Sequence, residues 1–145
     1  GLQNDTLLGG NGNDVLIGNA GRNTLEGGGG VNTVDYTVFA DGVSGSIGER
    51  GSIRNDLLGA TDTLRDIQVF LGSPGDDRVN GSKLNESLFG GAGNDTLNGD
   101  DLLTGDDGDD QLTGGLGADQ LLGGPGIDDL RSDNNDLVVD VGPEP

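Results

Sequence analysis

Along much of the chain, single large aliphatic residues stand between polar neighbours and return every nine positions. Leu7, Leu16, Leu25 and Val34 mark a first run, and Val79, Leu88 and Leu97 a second. Leu103, Leu112, Leu121 and Leu130 mark a third. Each polar–apolar–polar triplet reads as a strand with one buried face. Such short strands need neighbours above and below. Between the triplets lie stretches such as GGNGND (9–14), GGAGND (90–95), GGLGAD (114–119) and GGPGID (123–128). Their glycines permit positive φ and close backbone approach. The unit is therefore G-G-x-G-x-D-x-U-x, with U a large aliphatic residue. Strand, turn, strand, turn predicts a flattened coil of two units, 18 residues, per turn. Stacked coils form parallel sheets around one thin aliphatic core, stable only when several repeats act together. The predicted fold is all-β, a right-handed parallel β-roll or β-helix solenoid.

The array divides into four parts. Residues 1–35 hold amino-terminal repeats, in which Asn23 and Asn32 stand where the unit asks for aspartate. Residues 36–71 lose the pattern. They span 36 residues, four nines, so the later repeats resume in phase and the segment is expected to continue the stack as degenerate coils. Residues 72–131 hold the carboxy-terminal repeats. There GDDLLT (99–104) reads as a unit lacking positions three to five, with Asp101 at position six. Residues 132–145 form a last strand and tail, with Asp136 in the aspartate place and DLVVDV expected to close the exposed end,. Tyr36, Phe39, Phe70 and Phe89 are expected to plug and cap the core. Gly1 begins mid-pattern with no signal peptide ahead of it, as in part of a longer protein.

Composition then narrows the chemistry. The chain of 145 residues carries 26 acidic against 7 basic residues, a formal charge of −19. All the acids but Glu26, Glu49, Glu86 and Glu144 are aspartate, a bias that a helical surface would not show,. Low hydrophobicity with high net charge signals disorder unless something cationic completes the fold. Nucleic acid is excluded as a partner, because phosphates call for Lys and Arg. No Cys or His is present, which removes disulfides, thiol catalysis and histidine-bound transition metals,. No apolar run reaches the length of a membrane span. In the predicted coil, loops two units apart share an edge, so carboxylate stacks on carboxylate at roughly 4.7–4.9 Å. Two unit charges about 5 Å apart repel by roughly 0.8 kcal/mol in water and about 3 kcal/mol at an effective dielectric of 20. A divalent hard cation between loops reverses that sign. Calcium takes about 6–8 oxygens from carboxylates and carbonyls, and side-chain-poor loops can turn carbonyls inward; magnesium prefers a rigid octahedron.

The repeats at 9–17, 90–98, 114–122 and 123–131 resemble the RTX nonapeptide, the calcium-binding β-roll repeat of secreted bacterial proteins. The resemblance covers 1–35 and 72–131 clearly and 132–140 loosely; 36–71 is similar to a spacer that interrupts such arrays. It implies a lower loop giving carbonyls at positions two and four plus its Asp, and an upper loop giving carbonyls at positions one and three plus its Asp. One edge then holds Asp77, Asp95, Asp110 and Asp128, with three calcium ions in the gaps. Ser73 and Gly75 would face Gly90 and Ala92; Gly91 and Gly93 would face Gly105 and Asp107; Asp106 and Gly108 would face Gly123 and Pro125. On the opposite edge, Leu84 and Glu86 spoil one loop and the shortened unit another. There the resemblance implies one ion, between Asp119 (with Gly115 and Gly117) and Asp136. In the amino-terminal part, Asp5 faces Asn23, and Asp14 (with Gly10 and Gly12) faces Asn32, which implies weaker sites.

Other chemistries fit less well. Adjacent Asp76/Asp77 and Asp109/Asp110 would point oppositely in an extended segment, unlike a glycosidase pair. Ser and Thr have no base beside them. The chain is therefore expected to be no enzyme but a monomeric, calcium-responsive folding module, and its resemblance to RTX proteins implies an extracellular protein exported by type I secretion. The alternative is a module that binds polysaccharide or a cell surface. For that role the sequence offers only the scattered Arg22, Arg50, Arg54, Arg65 and Arg78, and 36–71 is the best place for such a site.

Overall fold

The computed structural model describes residues 3–55, 59–82 and 85–142, and every element in them is a strand. One sheet has nine strands. Its order is β1 (Thr6–Asn11), β3 (Thr24–Gly29), β7 (Thr61–Ile67), β6 (Gly48–Arg54), β5 (Ser44–Ser46), β9 (Arg78–Asn80), β11 (Thr96–Asn98), β13 (Gln111–Thr113) and β15 (Asp129–Arg131). The other has seven: β2 (Val15–Leu16), β4 (Thr33–Asp35), β8 (Val69–Leu71), β10 (Glu86–Ala92), β12 (Asp101–Asp107), β14 (Gln120–Leu122) and β16 (Leu137–Val139). The chain alternates between the sheets, and the pairing is parallel outside the β5–β6–β7 region. This is the parallel β-solenoid that the nine-residue period predicts.

Register shows why the period works. Leu88 pairs with Leu103, and Leu103 with Leu121. In the facing sheet Val79 pairs with Leu97, Leu97 with Leu112, and Leu112 with Leu130. From Leu16 to Leu121 the repeat aliphatics are buried, while Leu7 and Leu130 pack against the ends of the column. Each buried Leu contributes about 1.5–3 kcal/mol. One such residue per half-coil is a thin core, which makes the edges decisive.

The segment 36–71 departs from regular coils. It sends one strand, β8, into the seven-stranded sheet and three, β5, β6 and β7, into the other. Strand β6 runs antiparallel to both neighbours. Val34 registers with Phe70, and Phe70 with Leu88, so 36 residues advance this sheet by one step where two full coils would advance it by two. The segment has no G-G-x-G loop to carry the chain across the roll. A reversal at Gly48, with φ of 122°, keeps it in one sheet instead. Val43, Ile47, Ile53 and Ile67 fill the widened core. Tyr36 and Phe70 are buried with ring centroids 5.9 Å apart, and Phe39 lies 5.6 Å from Tyr36. Phe89 is not a plug: it alternates with buried Leu88 and stays half exposed. In the last unit, Val138 pairs with Leu121, and β16 forms the outer strand of its sheet with Leu137 and Val139 exposed.

The insertion also buries a polar cluster. Asp62, fully buried, accepts hydrogen bonds from the Tyr36 hydroxyl (2.9 Å), the Asn55 amide (2.7 Å) and the Asn23 backbone N–H (2.7 Å). Burial pushes the Asp62 carboxyl up from its ordinary range, against the lowering effect of these donors. Burial and the adjacent Asp62 also push the Tyr36 hydroxyl far up, so it remains a donor. Tyr36→Phe removes one donor from a buried carboxylate and is expected to cost about 1–3 kcal/mol. Thermal unfolding in saturating calcium would show it as a lowered Tm.

Candidate metal sites along the edges of the roll

Each glycine-rich loop delivers its position-six residue to an edge, two residues before an inward-facing aliphatic. Parallel stacking then sets these residues above one another, and one hydrogen bond recurs. The backbone N–H of one position-six residue donates to the side chain of the next. Asp77 donates to Asp95 Oδ1 (2.7 Å), Asp95 to Asp110 Oδ1 (2.7 Å) and Asp110 to Asp128 Oδ1 (3.0 Å). On the opposite edge, Asp14 donates to Asn32 Oδ1 (3.1 Å) and Asp119 to Asp136 Oδ1 (3.1 Å). Asp5 donates to Asn23 Oδ1 (3.0 Å) on the first edge. The pairs expected from the sequence are therefore the pairs that the fold brings together.

This ladder uses Oδ1 of Asp95, Asp110, Asp128 and Asp136. The second carboxylate oxygen, Oδ2, is buried without a hydrogen-bond partner in Asp14, Asp95, Asp110 and Asp128. Each of these oxygens turns back over the first glycine of its own loop, where a Cβ on Gly9, Gly90, Gly105 or Gly123 would collide with it. That close approach explains the first glycine. The second position takes positive φ in Gly10, Gly91, Gly115 and Gly124, with φ of 102° at Gly91. Asn19 (58°) and Asp106 (70°) adopt it as well, residue types that tolerate the left-handed region,. Successive loops approach closely: a Cβ on Gly93 would press on Gly75, one on Gly108 or Gly126 on the carbonyl of the loop below, and one on Gly90 or Gly105 on both its own loop's Oδ2 and the first carbonyl of the next loop, Gly105 or Gly123. Gly12 and Gly117, at the same fourth position, also have positive φ. Among the described residues no three acidic side chains converge on a point. The oxygen supply of a gap is one carboxylate from each of two loops plus backbone carbonyls. Buried, partnerless carboxylate oxygens beside the carbonyls of the next loop fit a hard cation that takes oxygen ligands,.

Some loops close themselves. Ser73 does not take positive φ; its N–H donates to Asp77 Oδ2 (2.8 Å) and its hydroxyl to Asp77 Oδ1 (2.8 Å). Asp77 also accepts from the Val43 N–H (2.6 Å), so both its oxygens are engaged. In the amino-terminal repeats, Asn23 Nδ2 donates to the Asn19 carbonyl (3.1 Å), and Asn32 Nδ2 to the carbonyls of Gly28 (3.4 Å) and Asp66 (3.1 Å). An asparagine at position six thus occupies with protons the carbonyls that an aspartate leaves open. Glu86 reaches the Ser82 hydroxyl of its own loop (2.6 Å). Leu84 and the Asp101 side chain lie outside the described residues.

Two members of the ladder were not expected. Asp62 and Gln68 continue it through the spacer: the Asn23 N–H donates to Asp62 and the Asn32 N–H to Gln68 Oε1 (2.9 Å). The local signal was present. Asp62-Thr63-Leu64 repeats the order of Asp95-Thr96-Leu97, without the glycines that announce a loop.

The carboxylates strain one another. Burial pushes Asp95 up to about 8 and Asp110 to about 6, with the neighbouring carboxylates adding to the rise against a lowering backbone hydrogen bond. Burial raises Asp77 as well. A carboxyl raised in the folded state stabilises that state below its unfolded value of 3.8, and this contribution disappears as pH climbs through the folded value,. The metal-free chain is therefore expected to hold more β-structure near pH 4.5 than at pH 8 or above, losing it across about pH 4–8. Far-UV circular dichroism after exhaustive metal removal checks this.

A search of curated proteins finds no match. The RTX calcium-binding nonapeptide repeat (4 copies) matches residues 1–34, 71–101 and 97–130. Those segments contain the regular coils and the paired position-six ladders, so the chain belongs to the RTX calcium-binding nonapeptide repeat family.

Proposed function

We propose that this β-roll is a folding module whose ordered state is completed by calcium, held between successive loops. The observation that carries this is the row of buried Oδ2 atoms of Asp95, Asp110 and Asp128, which the protein leaves without partners at its own cost,. The gaps between Asp95 and Asp110, and between Asp110 and Asp128, present such an oxygen from both loops. They are the strongest sites, using the carbonyls of Gly91, Gly93, Gly105, Asp107, Asp106, Gly108, Gly123 and Pro125. The gap between Asp77 and Asp95 is weaker, because Ser73 already engages Asp77. Asp14 with Asn32, and Asp119 with Asp136, supply further sites on the other edge. Asn23 with Asp62 is closed by protein donors and holds no ion. Calcium in such a gap would supply positive charge and oxygen coordination; the chain supplies the spacing.

The module is read as monomeric and non-catalytic, without His or Cys to act as base or thiol. RTX repeats occur in secreted bacterial proteins, which supports an extracellular setting, reached unfolded by type I secretion with folding afterwards where calcium is plentiful. Binding free energy is then folding free energy. Calorimetric titration with calcium and with magnesium tests the reading. Calcium should bind at several sites with a large ordering heat, and magnesium at the same concentrations should not. Equal heats from the two ions, or none from calcium, would sink it.

A further inference from the structure

Four of the seven basic residues of this acidic chain share one surface. In β6, Gly51 and Ile53 turn toward the core while Arg50, Ser52 and Arg54 alternate outward and are exposed. On β7, Arg65 stands directly opposite Arg50, and Thr63 opposite Ser52. On the other side, Ser44 of β5 pairs with both Arg54 of β6 and Arg78 of β9. Strand spacing puts the Arg50 and Arg65 backbones about 5 Å apart and those of Arg54 and Arg78 about 10 Å apart. Four residues along β6 separate Arg50 from Arg54 by roughly 13 Å. None of the four is ion-paired with a described residue, whereas Arg131 is paired with Asp129 at 2.7 Å. Two arginines directly opposite on neighbouring strands repel, and Glu26 of β3, which registers with Arg65 on its other side, offsets only part of that repulsion,.

We infer that this outer face of the nine-stranded sheet is a docking surface for an acidic polysaccharide. Guanidinium forks engage carboxylate or sulfate groups in bidentate fashion. The hydroxyls of Ser52 and Thr63, exposed between the arginines, suit sugar hydroxyls. The arginines lie on strands ranged side by side rather than in a cleft, so the face favours an extended polymer over a compact ligand. It offers no aromatic ring for stacking a base, since Tyr36 and Phe70 are buried in the core,. Among the described residues of β5, β6 and β7 no large apolar side chain stands between the arginines to enter a lipid surface; the exposed Leu8 lies two strands from Arg65, on β1 beyond Glu26,. The insertion of β5, β6 and β7 is what assembles the quartet, which gives the spacer a task beyond continuing the roll.

The test is binding of the calcium-loaded protein, at fixed free calcium, to a heparin hexasaccharide, a galacturonate oligomer and neutral dextran. Phosphatidylserine vesicles and a DNA duplex are run in parallel, and circular dichroism confirms that every variant is folded. At least one acidic oligosaccharide should bind, dextran should not, and affinity should fall as salt rises. The double variant Arg50→Gln/Arg65→Gln should weaken binding at least tenfold with an unchanged calcium midpoint, and Arg131→Gln should leave it unchanged. The inference is overturned if neither acidic oligosaccharide binds the folded protein. It is equally overturned if the double variant binds as before, or if vesicles or DNA bind more tightly through the same arginines. Failure of the protein to order in calcium would show instead in the dichroism and would count against the folding reading.

Discussion

Withdrawing calcium at neutral pH is expected to erase most of the ordered β-structure of residues 72–140, while part of the amino-terminal half keeps some protection. The reason is an imbalance visible along the first edge. From Asp77 to Asp128, three buried carboxylates and the half-buried Asp128 follow one another, with the acidic loop residues Asp76, Asp106, Asp107 and Asp109 beside them. Neighbours spaced as in adjacent strands repel by about 3 kcal/mol per pair at an effective dielectric of 20, comparable with burial of the single Leu that each half-coil contributes. In the amino-terminal half the corresponding positions are filled by donors. Asn23 and Asn32 cap their own carbonyls, and Tyr36 and Asn55 satisfy Asp62. The core is also broader there, with Tyr36, Phe70, Ile47, Ile53 and Ile67 packed together. Hydrogen exchange resolved along the chain, in chelator and in millimolar calcium, measures the effect. Protection in 86–131 should vanish without calcium, and some should remain around 23–36 and 61–70. Equal protection in both conditions across 86–131 would refute the assignment of ions to that edge.

The roll was legible because its information is local and repeated. A lone aliphatic every nine residues fixes which side faces the core, and a glycine pair fixes where the chain turns. The paired loops followed from the period alone: Asp95 with Asp110 survives the shortened unit, because the missing residues fall between the two on the opposite edge. The spacer was less legible. Its 36 residues keep phase in one sheet only, since Val34 meets Phe70 directly. An antiparallel excursion is invisible to a count of nines, and Gly45, Gly48 and Gly51 carry no repeat to announce it. Ser73 was hidden for a different reason. At the second position a non-glycine was read as a carbonyl donor, whereas its hydroxyl and N–H turn on Asp77 once the loop gives up positive φ. The role of asparagine was also only half visible. Its lower charge can be read from the sequence, but its Nδ2 protonating the loop carbonyls is a matter of geometry.

That geometry makes Asp95→Asn the most informative single change. Asp95 stands between two gaps, toward Asp77 and toward Asp110. The amide keeps Oδ1, so the Asp77 N–H retains its acceptor and the ladder stays intact. At the place of Oδ2 the variant carries an NH2 group, which can reach the second-position carbonyl of its loop, Gly91, as Asn32 reaches that of Gly28. The loop becomes one of the amino-terminal kind, with one charge fewer in both gaps and a carbonyl engaged. The calcium concentration at half-folding should rise at least tenfold, about 1.4 kcal/mol, and calorimetry should count fewer ions. Without calcium the sign reverses. The variant removes a carboxyl that burial pushes up to about 8, so at pH 8 and above the metal-free variant should hold more β-structure than the parent chain. Asp95→Ala should fare worse in both states, because the Asp77 N–H loses its acceptor at a cost of about 1–3 kcal/mol. Asp129→Asn, at an exposed position outside the ladder, should leave the calcium response unchanged. A parental calcium midpoint in Asp95→Asn would mean that the buried carboxylates are not what the ion holds.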